Sequence, residues 1–329
     1  MLFLYISDTF TTNAMKNKIK QYLSISTLIL LFSGYISLVF AGGDTDSFNL
    51  KQVAEGNYLH RGVHVEFNHP QHDDIANIGF IIGEKCIAVI DTGGSVTIGQ
   101  ELLLSIREIS QLPICYVINT HVHFDHILGN LAFLNEKPQF VGHKQLAIAV
   151  EQNRDFFLNQ FQSDLGPSPS IESIIGPDMT VDKTMELDLG NKLIRLTAYQ
   201  TAHSSTDLTV LDLNTKTMWA GDLIFRERIP ALDGKLKGWL TVLDLLQNQE
   251  INLAIPGHGS SSHHWPQAYA AEKSYLSMLL SDTRKAISEG KFLEEVLNSI
   301  GKDEKQEWLL HEQHHSRNIT KAFTELEWE

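Results

Sequence analysis

The chain has 329 residues, 43% hydrophobic and 20% charged, a composition that supports a packed core and excludes general disorder. Its formal charge of −14, from 26 Lys+Arg against 40 Asp+Glu, argues against a nucleic-acid partner and against attraction to an anionic membrane. Two cysteines are too few for a disulfide scaffold or a zinc ribbon, whereas fifteen histidines are many for this length.

The first forty residues have the pattern of a targeting segment. Residues 1–14 look unrelated to the rest of the chain, and Met15 is the better start: Lys16, Lys18 and Lys20 form a basic region ahead of the uncharged, mostly apolar stretch 22–40. Val39-Phe40-Ala41 then places acceptable residues at −3 and −1 of a cleavage site. The expectation is that residues 1–41 are a signal peptide, that residues 42–329 form one mature domain, and that this domain is periplasmic or secreted. The stretch is near spanning length, so retention would make it an anchor. Ser24, Ser26, Thr27, Ser33 and Ser37 weaken that alternative. A membrane enters only if the segment is retained.

In the mature chain, residues 78–90 read as a hairpin turning at Gly83-Glu84-Lys85. Asp91-Thr92-Gly93-Gly94 is a loop, and Ile98, Leu102, Leu103, Ile106 and Ile109 recur at helical spacing. Pro113 ends that helix and a strand runs from Ile114 to Asn119. Cys86 and Cys115 each lie five residues before the end residue of their strand, Asp91 and Thr120. If the strands are parallel neighbours, the sulfurs lie side by side, either as a disulfide or as two buried thiols. Residues 143–161 read as a helix, and 185–220 as three strands with a turn at Asn214-Thr215-Lys216. Leu236, Leu240 and Leu243 mark a helix, 251–255 a short buried strand, and the chain is helical from Trp265 onward. Strands and helices alternate in two blocks, as expected for α/β sheets covered by helices.

The chemistry concentrates in Thr120-His121-Val122-His123-Phe124-Asp125-His126, directly after a strand. Alternate residues on an extended segment point the same way, so His121 and His123 can share one metal ion. Asp125 and His126 then turn toward a second position. Three further apolar strands end in a ligand-type residue beside small neighbours: Ala202-His203, Gly221-Asp222 and Gly257-His258.

This set resembles the metallo-β-lactamase superfamily over nearly all of residues 50–265. The resemblance implies a four-layer αββα sandwich with the metals at one edge of the sheets. His121, His123 and His203 would hold a first zinc, Asp125, His126 and His258 a second, and Asp222 would bridge them. Asp91 would support the ligand loop without binding metal. Two Zn2+ then generate a metal-bound hydroxide that hydrolyses an ester, thioester, lactone or related bond in a small-molecule substrate, with Asp125 or Asp222 accepting a proton. β-Lactamases of this fold carry Cys or Ser where Asp222 stands, so β-lactam turnover is expected to be weak. The stretches 223–230 and 231–240, Arg317-Asn318-Ile319 and the acidic end Glu325-Leu326-Glu327-Trp328-Glu329 also resemble the quinoprotein relay system zinc metallohydrolases. They resemble, too, a protein encoded with sulfur-oxidation systems. The implied partner is a periplasmic quinoprotein dehydrogenase system.

Two other classes compete. A persulfide dioxygenase of this fold would hold one Fe2+ with His121, His203 and Asp222. A non-catalytic metal- or cofactor-handling accessory protein would bind metal without turnover. The flavodiiron variant needs a carboxylate where His123 stands.

Several other groups have two readings. His69 and the run His72-Asp73-Asp74 form either a flap over the metals or a solvated loop. His263 and His264 lie near the site mouth or on the surface. His311, His314 and His315 read as surface or packing residues. Arg226, Arg228, Lys235 and Lys237 meet an anionic substrate or form a solvated face. Asp207 supports His203 or starts the next strand.

Overall fold

The computed structural model describes residues 48–297, 299–301 and 308–329. The expected signal peptide lies outside the described residues. Among the described residues, twelve strands form two sheets. The first, in the order β1 to β7, contains Leu50–Ala54, Asn57–His60, Ile78–Ile82, Ile87–Ile90, Ile114–Ile118, Gln139–His143 and Met179–Val181. Its first four strands pair antiparallel and its last four parallel, with β4 in both sets. The second, in the order β12-β11-β10-β9-β8, contains Thr184–Asp188 (β8), Leu193–Ala198 (β9), Leu208–Asp212 (β10), Thr217–Trp219 (β11) and Leu253–Ile255 (β12). There only β11 and β12 are parallel.

Period-two side-chain direction divides each strand between two cores. Ile81, Ala88 and Ile90 face inward and pack with Leu196, Val210, Trp219 and Ile255 of the opposite sheet. Ile78, Phe80, Ile87 and Val89 face outward against helix α1, Val96–Ile109, through Ile98, Leu102 and Ile106. The Ser95 hydroxyl caps α1 by accepting from the Ile98 amide at 3.1 Å. Ile109, at the last helical position, is 43% exposed, so the apolar stripe ends one turn before the helix does. The outer face of the second sheet is covered by α4 (Leu236–Leu246), α5 (Ala270–Ser288) and α7 (His311–Leu326), whose Trp239, Leu276 and Ile319 join one core with Met218 and Ala254. The result is the four-layer arrangement expected from the sequence.

The short helices α2 (Phe124–Ile127) and α6 (Leu293–Val296) and the longer α3 (Leu146–Gln160) complete the set. Three expectations are corrected. Residues 185–220 hold four strands, because Gly190 and Asn191 take positive φ (88° and 51°) and turn β8 back into β9. The segment 143–161 begins as the end of β6, and the helix starts only at Leu146. The chain beyond Trp265 is not continuously helical, breaking at Gly290 with φ 71°. Strands β4 and β5 are parallel neighbours, and Cys86 and Cys115 form a disulfide with Cα atoms 5.8 Å apart. Among the described residues no helix is long and apolar enough to cross a membrane.

Candidate metal centre

The strand ends converge at one edge of the two sheets. β5 delivers His121 and His123, the β9–β10 loop delivers His203, β11 delivers Asp222 and β12 delivers His258. The two sheets thereby form two adjoining donor groups: His121, His123, His203 and Asp222, and Asp125, His126 and His258. Within each group the donor atoms lie within 4.8 Å of one another. All seven residues singled out in the sequence are brought together, and six are buried, His123 being half-buried.

Each imidazole is held from outside by an acceptor, and this fixes its tautomer. His126 Nδ1 donates to Asp91 Oδ2 at 2.8 Å, His258 Nδ1 to the Ile75 carbonyl at 2.7 Å and His203 Nδ1 to the Ala231 carbonyl at 2.7 Å. His123 Nε2 donates to Asp233 Oδ2 at 3.1 Å. The Thr120 hydroxyl donates to Asp91 Oδ2 at 2.7 Å, so toward His121 Nδ1, 3.1 Å away, it accepts. In the neutral rings the five inward nitrogens are therefore acceptors. They face one another and the carboxylates: His123 Nδ1 lies 3.0 Å from both His121 Nε2 and His203 Nε2. His126 Nε2 lies 3.2 Å from Asp222 Oδ1, and His258 Nε2 lies 3.3 Å from both Asp125 Oδ2 and Asp222 Oδ2.

Acceptors facing acceptors at these distances repel unless a cation lies among them. His126 Nε2 and Asp222 Oδ1 are buried without a hydrogen-bond partner. Protons satisfy the cluster only in part. Burial, with the neighbouring His126 charge, holds His121 well below the ordinary histidine range, and burial brings His203 down to about 4. Against burial, the carboxylates of Asp125, Asp222 and Asp91 hold His126 well above that range. Asp125 and Asp222 lie well below the usual carboxylate range; burial opposes this and the charges of His126 and His258 override it. Imidazoles that give up such protons to a cation, with ionised carboxylates, are the donor set that divalent transition metals take, so the residues fit a metal centre.

Asp222 reaches both groups: Oδ1 faces His126, and Oδ2 lies 3.4 Å from His203 Nε2 and 3.7 Å from His121 Nε2. Its close approach needs glycine next door, since a Cβ on Gly257 would stand 1.9 Å from Oδ1. Asp91 hydrogen-bonds into the ligand loop. It accepts from the Thr120 amide at 2.8 Å as well as from the Thr120 hydroxyl and His126.

Sequence reasoning missed the acceptors contributed by Ile75, Ala231 and Asp233. Ala231 and Asp233 lie on an irregular loop that α7 clamps. Asn318 accepts from the Leu232 amide at 2.9 Å and donates to the Pro230 carbonyl at 2.7 Å, and Arg317 pairs with Asp233. His314 lines the cavity above the donors, and His315 is buried, hydrogen-bonded to the Tyr275 hydroxyl and the Ile300 carbonyl. The flap reading is corrected: His72 pairs with Asp164, Asp73 accepts from Ser95, and Asp74 pairs with His60. From that loop it is Glu66, Phe67 and Ile75 that line the cavity. Asp207 immediately precedes β10 and ties the turn beside His203 by accepting from the Ser204 amide and hydroxyl. Burial pushes its carboxyl up to about 7.

The sequence profile of the family described as Metallo-beta-lactamase superfamily matches residues 73–258. The chain belongs to the metallo-beta-lactamase superfamily. Helix α7 lies beyond the matched segment. Among solved structures, the metallo-beta-lactamase from Pontibacter korlensis superposes with a TM-score of 0.57 at 18% identity, covering 70% of this chain and 98% of that one. The stereoselective inverting sec-alkylsulfatase Pisa1 from Pseudomonas sp. gives a TM-score of 0.64 at 16% identity, covering 84% of this chain and 50% of that one. At these identities the likeness is one of fold. A linear primary-alkylsulfatase of Pseudomonas sp. (strain ATCC 19151) is 41% identical over 51 residues, which is 16% of this chain and 10% of that protein. The matched family and the buried donor set together mark this edge of the sheets as a metal centre.

Proposed function

We propose that the chain is an exported di-zinc hydrolase that cleaves an ester, thioester, lactone or related bond. The observation that carries this reading is the pair of adjoining donor groups, five inward imidazole nitrogens and two carboxylates, at the floor of a cavity of about 590 Å³. His121, His123 and His203 would hold one ion, Asp125, His126 and His258 the other, with Asp222 shared. Two zinc ions so held supply a water of near-neutral pKa and polarise the bond to be broken.

The chain's own residues do the rest. Asp91, Thr120, Ala231, Asp233 and Ile75 keep the five imidazoles in one tautomer and orientation, so no reorganisation accompanies turnover. Asp125 and Asp222 are the carboxylates that line the cavity among the donors, and we assign them the transient holding of water's proton. In the overall step the oxygen of water bonds to the acyl or equivalent centre, the bond to the leaving oxygen or sulfur breaks, and the proton passes to that leaving atom. No serine or cysteine nucleophile takes part.

Export is supported by the character of residues 1–41 and by the Cys86–Cys115 disulfide, which suits an oxidising compartment. The association with a periplasmic quinoprotein dehydrogenase system rests on the resemblance of residues 223–240 and of the C-terminal stretches. The alkylsulfatases among the similar proteins add sulfate monoesters to the candidate substrates. A complete second donor group is what a mononuclear iron dioxygenase would not need, and a roomy cavity is what a metal carrier would not need. The test is a panel of carboxylate, thio-, lactone and sulfate esters offered to the zinc-loaded protein and to His121→Ala. Turnover that disappears in the variant, with the fold retained, supports the reading. Equal turnover in both refutes it.

A further inference from the structure

Helix α5 carries a carboxyl group inside the apolar core. Glu272, in its first turn, is fully buried. One turn along the same face, Leu276 belongs to the core under the second sheet. Burial, with the Asp222 charge adding to it, pushes the Glu272 carboxyl well above the usual carboxylate range, so it stays a neutral acid. Its Oε2 is buried without a hydrogen-bond partner. A polar group placed here is costly, which draws attention to the bond it does make: Oε1 accepts from the Phe225 amide at 3.2 Å.

That amide needs an acceptor. Residues 224–226 run alongside the chain leaving β12, where Phe225 and His258 form a parallel bridge. The Gly257 amide donates to the Ile224 carbonyl at 3.1 Å, and the Arg226 amide to the His258 carbonyl at 3.0 Å. Backbone groups of successive residues in an extended segment point to opposite sides, so the Phe225 amide turns away from β12 and toward α5. Phe225 is 1% exposed, and a buried amide with neither strand nor water beside it must be served by a side chain. Glu272 serves it.

The Phe225 ring touches both donor groups. It stacks on His258 with centroids 5.1 Å and planes 24° apart, and it meets His203 at 5.5 Å. Trp239 backs the ring at 6.0 Å. His203 belongs to one donor group and His258 to the other.

We propose that Glu272 is a positioning residue for the metal centre: it fixes the Phe225 backbone, and through the Phe225 ring it fixes His203 against His258 and hence the spacing of the two donor groups. Phe225 lines the cavity, whereas Glu272 acts from behind it. A neutral acceptor is all this role requires, so glutamine should serve in its place and leucine should not.

The inference rests on the two-metal hydrolase reading, and the test keeps the two apart. Co2+, whose visible absorption reports the geometry of its ligands, is titrated into the metal-free full chain and into Glu272→Leu, Glu272→Gln and Phe225→Leu. Glu272→Leu should bind the ions about tenfold more weakly, as for loss of an outer support of a ligand imidazole, and its spectrum at saturation should differ from the parent's. Glu272→Gln should match the parent in affinity and spectrum. Phe225→Leu, which keeps the amide and removes the ring, should alter the spectrum as Glu272→Leu does. A Glu272→Leu protein that melts at lower temperature yet keeps the parent's affinity and spectrum overturns the proposal, because Glu272 would then serve stability alone. Equal loss in Glu272→Gln and Glu272→Leu overturns it too, because the acceptor would not be what matters. Should Glu272→Leu not fold, a parent-like spectrum in Phe225→Leu overturns it. Ester turnover is scored on the same preparations: its absence from the parent sinks the hydrolase reading alone, whereas cobalt binding blind to these substitutions sinks this one alone.

Discussion

The Asp91→Asn substitution isolates the support of the metal centre. Asp91 has φ 52° and is 1% exposed; asparagine tolerates that conformation, so the backbone is not the variable. The carboxylate accepts three hydrogen bonds, from the Thr120 amide, the Thr120 hydroxyl and His126 Nδ1. An amide keeps one acceptor oxygen. With that oxygen turned to Thr120 Oγ1 and His126, the NH2 group faces the Thr120 amide donor. One buried donor is then left without an acceptor, at about 1–3 kcal/mol. The bond from His126 also loses its charge assistance, roughly half its strength or about 1 kcal/mol. The sum, about 2–4 kcal/mol, lowers Tm by roughly 3–7 °C for a chain of this size. His126 becomes a poorer ligand, and zinc affinity falls about 10–100-fold. Thermal melting and competition with a zinc chelator read the two effects. A variant with the parent's Tm and zinc affinity would refute the claim that Asp91 orders this loop.

The same network sets three further expectations. Asn318→Ala should lower occupancy of the His121, His123 and His203 group before that of the His258 group, because Asn318 anchors the loop carrying Ala231 and Asp233; stepwise metal titration reads the order, and equal loss from both groups contradicts it. Replacing Cys86 and Cys115 by serine opens a loop spanning a sequence separation of 29 and should reduce stability by about 3–4 kcal/mol, measured by denaturant unfolding; an unchanged midpoint argues against the disulfide's role. Asp207 has its carboxyl raised to about 7 in the folded chain, against about 3.9 unfolded. The folded state therefore holds that proton more tightly. Its contribution is complete below about pH 4 and is lost as pH rises through about 7, on the order of 4 kcal/mol at most. In chelator-treated protein Asp207→Asn should flatten this slope, and an unaltered pH profile of unfolding contradicts it.

Much of the centre was legible because its ligands carry a pattern. Four of the seven lie within His121–His126, and the other three each follow an apolar strand and a small residue. Strand alternation and helical spacing likewise marked β3, β4, β5 and α1. What stayed hidden lacks a side-chain signature. The Ile75 and Ala231 carbonyls orient ligands through backbone atoms that every residue has. Asp233 is one of 40 acidic residues, in a loop with no periodicity, and only the fold sets its carboxylate against His123. The β8–β9 hairpin turned on Gly190-Asn191, a short signal inside a longer strand-like run. Arg228 sat in a basic stretch whose members look alike until burial distinguishes them. His314 and Asn318 reach the centre only because α7 packs back on the second sheet.

The central claim is that two adjoining donor groups each hold a metal ion. The direct measurement is metal content per chain, by mass spectrometry, on the protein and on His258→Ala, both purified without added metal. Close to two zinc ions per chain are expected, falling to about one in the variant with the His121, His123 and His203 group still filled. One iron per chain in the parent protein, indifferent to loss of His258, would contradict it.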